Sequence, residues 1–220
     1  MNRIELSLII ANQGLHLGDN RKRNSIEAVQ SAARAGLGGV KVDVAIVGGI
    51  PSLHDSVRDG GEHLGRVTQL ELQHMTGREI PSLRDLLDTC ADVPIILELH
   101  QSALVDMAED VLADMPEHWM VASLDHRAVL RCAEEHGCKG ILMMAHRPLP
   151  GTIPSIPHRL VDTIAWRSWP TWPDDIETAG AAGWRSLEWN DVLPEDAVKV
   201  TISKASAIIA DLLPGWDGSH

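Results

Sequence analysis

The chain has 220 residues and a formal net charge of −12, the size of one α/β-barrel domain spanning residues 1–220. The negative balance argues against non-specific nucleic-acid binding and against docking on an anionic membrane surface. Three cysteines, Cys90, Cys132 and Cys138, are an odd number without metal-ligand spacing and read as reduced thiols of a cytoplasmic protein.

In chain order, Leu6–Ala11 reads as a short buried strand, too short for a signal peptide or a membrane span. It ends in the turn Asn12-Gln13-Gly14, and the basic run Arg21-Lys22-Arg23 follows. Asn24, with Glu27 three residues on, predicts a capping box for a helix whose apolar face is Ile26, Val29, Ala32 and Ala33; Gly36 ends it. Next come apolar runs over Val40–Val47 and Ile50–Leu53, separated by Gly48-Gly49. Residues 56–81 are polar, with a short helical piece near Leu70–Met75. Ser82 caps a helix over 83–91, with Asp85 at the box position. Pro94 introduces a strand over Ile95–Leu99, a helix follows over 103–114, and Trp119–Ala122 is a strand. Asp125 caps a helix that Gly137 ends, and Ile141–Met144 is a strand. The four prolines of 147–158 make that segment a loop. Val161–Trp166, Ser186–Trp189 and Ala207–Ala210 are strands. Helices are expected over 174–182 and from Pro194 to about Ser203.

Strand–helix alternation from end to end implies a parallel sheet with helical crossovers, a single TIM-type (β/α)8 barrel. About nine candidate strands compete for its eight places, so either 50–53 or 161–166 lies outside. Lys41 and Asp43 are two apart and share one strand face. Inside a strand buried on both sides such charges persist only if paired. His54 and Asp55 follow the second apolar run, and Glu98 and His100 end the Pro94 strand.

These strand-end residues resemble the glycerophosphodiester phosphodiesterase family, a TIM barrel of the phospholipase-C-like type. That family carries His-Arg-Gly, Pro-Glu-Asn, Glu-x-Asp, His-Asp, Glu-x-Lys, Trp-Thr-x-Asn and Thr-Asp in this order. The matching residues here are Asn12-Gln13-Gly14, Arg23-Asn24, Lys41-Val42-Asp43, His54-Asp55, Glu98-Leu99-His100, Trp189-Asn190 and Ala210-Asp211. The resemblance implies a site in which carboxylates hold calcium or magnesium and two histidines act as acid and base. Of that set Asp43, His54 and Glu98 remain. Asn12 replaces a histidine, and an asparagine cannot shuttle a proton near neutral pH. Lys41 replaces a metal ligand, and an ammonium has no lone pair to give.

The expectation is therefore a divergent, metal-independent enzyme acting on a small anionic, phosphorylated or specialised metabolite. Lys41 stands in the volume of the metal, paired to Asp43 and Glu98. His54 moves a proton with His100 or Glu98 as partner, and Asn12, Gln13, Arg23 and Trp189 line the substrate. Arg23 and Lys41 balance Asp43 and Glu98 without an ion. Two alternatives stand beside this: a catalytically dead barrel that binds a ligand or partner protein, and a residual phosphodiesterase with a magnesium or calcium ion weakly held by Asp43 and Glu98. His16 and His146 read as surface or capping residues. Trp166, Trp169, Trp172 and Trp189 either wall a ligand or cover the barrel rim.

Overall fold

A computed structural model describes residues 9–55, 61–146, 158–167, 173–190 and 207–211. Its strands are β1 (Ile9–Asn12), β2 (Gly39–Val47), β3 (Ile50–Leu53), β4 (Ile95–Leu99), β5 (Met120–Ser123), β6 (Lys139–Met144), β7 (Val161–Arg167), β8 (Arg185–Asn190) and β9 (Ala207–Ala210). The helices are α1 (Ile26–Arg34), α2 (Gln69–Thr76), α3 (Leu83–Cys90), α4 (Leu104–Met107), α5 (Glu109–Ala113), α6 (His126–His136) and α7 (Pro173–Ala181). β1 pairs in parallel with both β9 and β2, so the eight parallel strands close into a barrel. The strand outside is β3. Gly48 and Gly49, both at positive φ (57° and 84°), turn the chain back so that β3 pairs antiparallel to β2. β7 takes its barrel place between β6 and β8.

Alternation sorts the strand residues into two cores. Val40, Val42, Val44, Leu97, Leu99 and Val121 face outward and pack under α1, α3, α4 and α5. Ile96, Ala122, Ile141, Met143, Ala165, Leu187 and Ile209 fill the lumen. Each fully buried aliphatic side chain contributes about 1.5–3 kcal/mol relative to exposure. A smaller cluster of Ala45, Val47, Leu64, Leu72 and Ile80 holds α2 against the β2–β3 hairpin. Cys90, Cys132 and Cys138 are buried free thiols, and no helix among the described residues is long and apolar enough to cross a membrane.

The structure adjusts several boundaries. The cap of α1 is Ser25, whose side chain accepts from the Ala28 N–H; Asn24 is drawn into the site described below. The helix expected over 103–114 is two short helices, meeting at Ala108. Thr68 and Glu71 form a capping box on α2. Leu6–Leu8, the loop over 147–157, Trp169, Trp172 and the helix from Pro194 lie outside the described residues.

Gly14 sets the path of the loop after β1. Its φ is +84°, and a Cβ there would lie 2.6 Å from Ala28 Cβ and 2.8 Å from the Ala28 carbonyl carbon. Gly14→Ala combines a left-handed backbone cost of about 1–3 kcal/mol with a clash against helix backbone. Urea denaturation should show a loss of at least that size.

Candidate active site

The lumen is apolar until the carboxyl ends of the strands, where its lining becomes ionic. β2 brings in Lys41 and Asp43, and register sets Asp43 beside Glu98 of β4 and Lys41 beside Asn12 of β1. The Lys41 ammonium lies 2.5 Å from Asp43 Oδ1 and also donates to Glu98 Oε2. All three side chains are at most 7% exposed.

Asp43 is the most heavily bonded group. Its Oδ2 accepts from Gln13 Nε2 and, at 3.0 Å, from Asn24 Nδ2, while its backbone N–H donates to Asn24 Oδ1 (2.9 Å). His100 Nε2 approaches Oδ1 at 3.4 Å. Gln13 and Asn24 reach these positions from left-handed backbone (φ 58° and 53°), a conformation uncommon outside glycine that concentrates at functional sites.

Charge and burial oppose one another throughout. Burial alone would lower the Lys41 pKa, but Asp43 and Glu98 outweigh it and hold the ammonium charged above the ordinary lysine range. Burial would raise Asp43; Lys41 and His100 hold it well below 3.8 instead. Burial would lower His100, yet Asp43 and Glu98 raise it above 6.5 against the opposing charge of Lys41.

A second group surrounds Asp211, just past β9. Its carboxylate accepts from Arg23 Nη2 and Asn12 Nδ2, each at 2.8 Å, and His16 Nε2 lies 3.8 Å away. Burial pushes Asp211 up; His16, Arg23 and Asn12 together bring it below its ordinary value. Arg23 Nη1 also donates to Gln13 Oε1 (2.9 Å), and Gln13 Nε2 donates to Asp55 Oδ2 (3.1 Å), which joins the two groups. Arg23 thus balances Asp211 and not Asp43 or Glu98, so the expected balance fails: Lys41 alone leaves that pair one charge negative, which favours the charged form of His100. His16 is not at the surface: it is 3% exposed, with Nδ1 accepting from the Gly18 N–H. His146 is exposed.

His54 is buried beside β2, its backbone N–H donating to the Asp43 carbonyl (2.9 Å), and its ring Nδ1 lies 2.7 Å from Arg78 Nη2. His100 hangs from the same strand end through Val44. Across the mouth, Trp189 faces the lumen, with the Arg167 guanidinium 5.8 Å from its ring centroid. Trp166 points the other way, into the core around Ile164, Ile176 and Trp184, where its indole N–H donates to Ser186 Oγ (3.1 Å). It walls no ligand. Sequence reasoning did not single out Arg78, Asn24 or Asp55 as site residues; Asn24 and Asp55 carried a usable signal, as parts of the matched Arg23-Asn24 and His54-Asp55 pairs, and Arg78 carried none.

One ligand atom each from Asp43, Glu98 and His100 lies within 4.8 Å of the others, a spacing that a cation could bridge. The donor chemistry does not fit one. Lys41 donates to both carboxylates, and Gln13 and Asn24 occupy the other oxygen of Asp43. A hard divalent ion needs oxygen lone pairs and would meet a fixed ammonium.

The fold and its mouth define a (β/α)8 barrel with a polar site at the carboxyl ends of its strands, where enzymes of this architecture work. No protein-family model matches the sequence, and no curated protein does. Among solved structures, the chain is similar to the glycerophosphodiester phosphodiesterase of Thermotoga maritima, with 17% identity and a TM-score of 0.75 over 94% of this chain and 95% of that one. A putative glycerophosphodiester phosphodiesterase of Galdieria sulphuraria gives 16% and 0.76 over 94% of each chain. An Oleispira antarctica phosphodiesterase, solved with the product sn-glycerol-3-phosphate, gives 18% and 0.73 over 94% and 93%. The chain has the glycerophosphodiester phosphodiesterase barrel.

Removing one partner of a buried ion pair typically costs 3–5 kcal/mol, so Lys41→Met should lose about that much stability at neutral pH. Asp43 is depressed in the fold, so its stabilisation in the wild type is complete above 3.8 and is lost as pH falls through the lower folded value. In the variant Asp43 lacks the Lys41 charge that holds it low, so acid relieves a buried carboxylate there. The gap between the two proteins should narrow towards acid pH in a series of urea titrations.

Proposed function

We propose that this chain is a divergent, metal-independent enzyme on the glycerophosphodiester phosphodiesterase barrel, acting on a small anionic metabolite, phosphorylated or otherwise, by acid/base chemistry. The observation that carries the reading is the Lys41 ammonium between Asp43 and Glu98. An ammonium has three N–H groups. The two carboxylates take two of them, and the third is offered to an anionic or carbonyl oxygen at the mouth. The same pairing keeps the amine protonated, so Lys41 acts as a fixed charge and not as an imine-forming nucleophile.

His100 carries the proton in transit. It contacts Asp43, which supports its charged form and orients its ring. His54, hung from the same end of β2, contacts the reacting group. Trp189 and Arg167 form the opposite wall. Asn12, Gln13 and Arg23 set the shape of the mouth through Asp43 and Asp211, and touch the ligand only at its edge. The reaction classes this arrangement serves are phosphoester cleavage and lyase, isomerase or cyclase steps. The reduced, buried cysteines suit a reducing compartment, and we place the protein in the cytoplasm.

The test follows turnover of a panel of phosphodiesters, phosphomonoesters and carboxylates by NMR, with and without chelator. Turnover that survives chelation, falls about 10²-fold in His100→Ala and is lost in Lys41→Met is the expected result. Loss of turnover on chelation, or a stoichiometric divalent ion between Asp43 and Glu98, would restore a metal-dependent phosphodiesterase. Ligand binding without turnover, indifferent to both substitutions, would make the barrel a binding protein.

A further inference from the structure

The contact between Arg78 and His54 fixes what His54 can do. Arg78 comes from the connection between β3 and α3. Gly77 ends α2 in a left-handed cap at φ 65°, and the chain then returns alongside β3. The Leu53 N–H donates to the Pro81 carbonyl (2.9 Å), Ser52 bridges to Ser82, and Ile80 is buried. These bonds run the segment antiparallel to β3 and carry Arg78 to the end of that strand. There Nη2 lies 2.7 Å from His54 Nδ1.

A guanidinium only donates and cannot lose its proton in a protein. A short approach to an imidazole nitrogen therefore requires a lone pair on that nitrogen. With Nδ1 accepting, the ring is neutral and its single N–H is on Nε2. The partner of one ring nitrogen sets the role of the other. A carboxylate at Nδ1 leaves Nε2 as a proton acceptor, the arrangement of a general base. A guanidinium at Nδ1 leaves Nε2 as a donor.

Deepening the reading above, we infer that Arg78 is a positioning residue that locks His54 as the neutral Nε2–H tautomer, so that His54 donates a hydrogen bond to an anionic oxygen and does not abstract a proton. Proton transfer then falls to His100, and a site of Lys41 and His54 donors suits an oxyanion. Sequence reasoning assigned the proton to His54; on this inference that role passes to His100.

The assignment can be read without substrate, so its failure and the failure of the enzyme reading are separable. In mildly alkaline buffer, long-range proton–nitrogen NMR of the ring-labelled wild type should give His54 an unprotonated Nδ1 and a protonated Nε2, in one tautomer only. Arg78→Met should lose that purity, with an Nδ1–H form appearing, and Arg78→Lys, which restores a cationic donor, should recover it. A protonated His54 Nδ1 in the wild type overturns the inference, whether or not the variants fold. So does an Arg78→Met spectrum with the tautomer unchanged.

Discussion

Two carboxylates buried in the mouth of an apolar barrel must be neutralised, and the rest of the site follows from how. Uncompensated, each would cost several kcal/mol after relaxation. In this chain the compensating charge is covalent. Lys41 is two residues from Asp43 on the same strand, and the pleat turns both inward. Register with β4 then brings Glu98 alongside. Lys41 meets one of the two negative charges when β2 and β4 pair, and the charged form of His100, favoured by Asp43 and Glu98, meets the other.

An ammonium makes demands different from those of a divalent cation. It is a single charge with directional N–H groups, and it cannot satisfy every oxygen around it. The remaining acceptor capacity of Asp43 is met by Gln13 and Asn24, both held at positive φ. The same loop sends Arg23 to Asp211, tying the start of the chain to the end of β9 across the barrel seam. Support of this kind locks a first set of side chains by a second. It explains why Asn24 forms no helix cap: its side-chain oxygen accepts from the Asp43 backbone, and Ser25 takes the capping role.

Much of this was legible in the sequence, and the reason differs by residue. Lys41, Asp43 and Glu98 stand in apolar β-branched strands, where charge signals a buried pair; the expected pairing is found. The barrel follows from strand–helix alternation, and Gly48-Gly49 marks the hairpin that excludes β3, although spacing alone left β3 and β7 as equal candidates. What sequence could not give was contact between loops. Arg78 lies in a polar stretch, and its meeting with His54 depends on the left-handed turn at Gly77 and the pairing of 81–82 with β3. His16 looked like a surface residue because its burial comes from the fold of its loop, and no periodicity records that. Trp166 and Trp189 are alike in sequence, but opposite strand parity sends one to the helices and the other to the lumen.

If Lys41 stands where a divalent ion would, as proposed, the chemistry open to the mouth changes too. A divalent ion polarises an oxygen and lowers the pKa of bound water. An ammonium stabilises developing negative charge but generates no hydroxide nucleophile. On the proposed reading, catalysis comes from positioned donors and a proton carrier, the electrostatic stabilisation that preorganised groups supply in a water-poor site. The histidines have environments suited to that division. His100 meets a carboxylate and is favoured as a cation; His54 meets a guanidinium, which on the inference above takes the lone pair of Nδ1. Two titratable groups whose neighbours push their protonation in opposite directions are the usual structural basis for assigning separate roles in one site. Here that polarity is set by Asp43 and Arg78, one from strand β2 and one from the segment that runs back alongside β3.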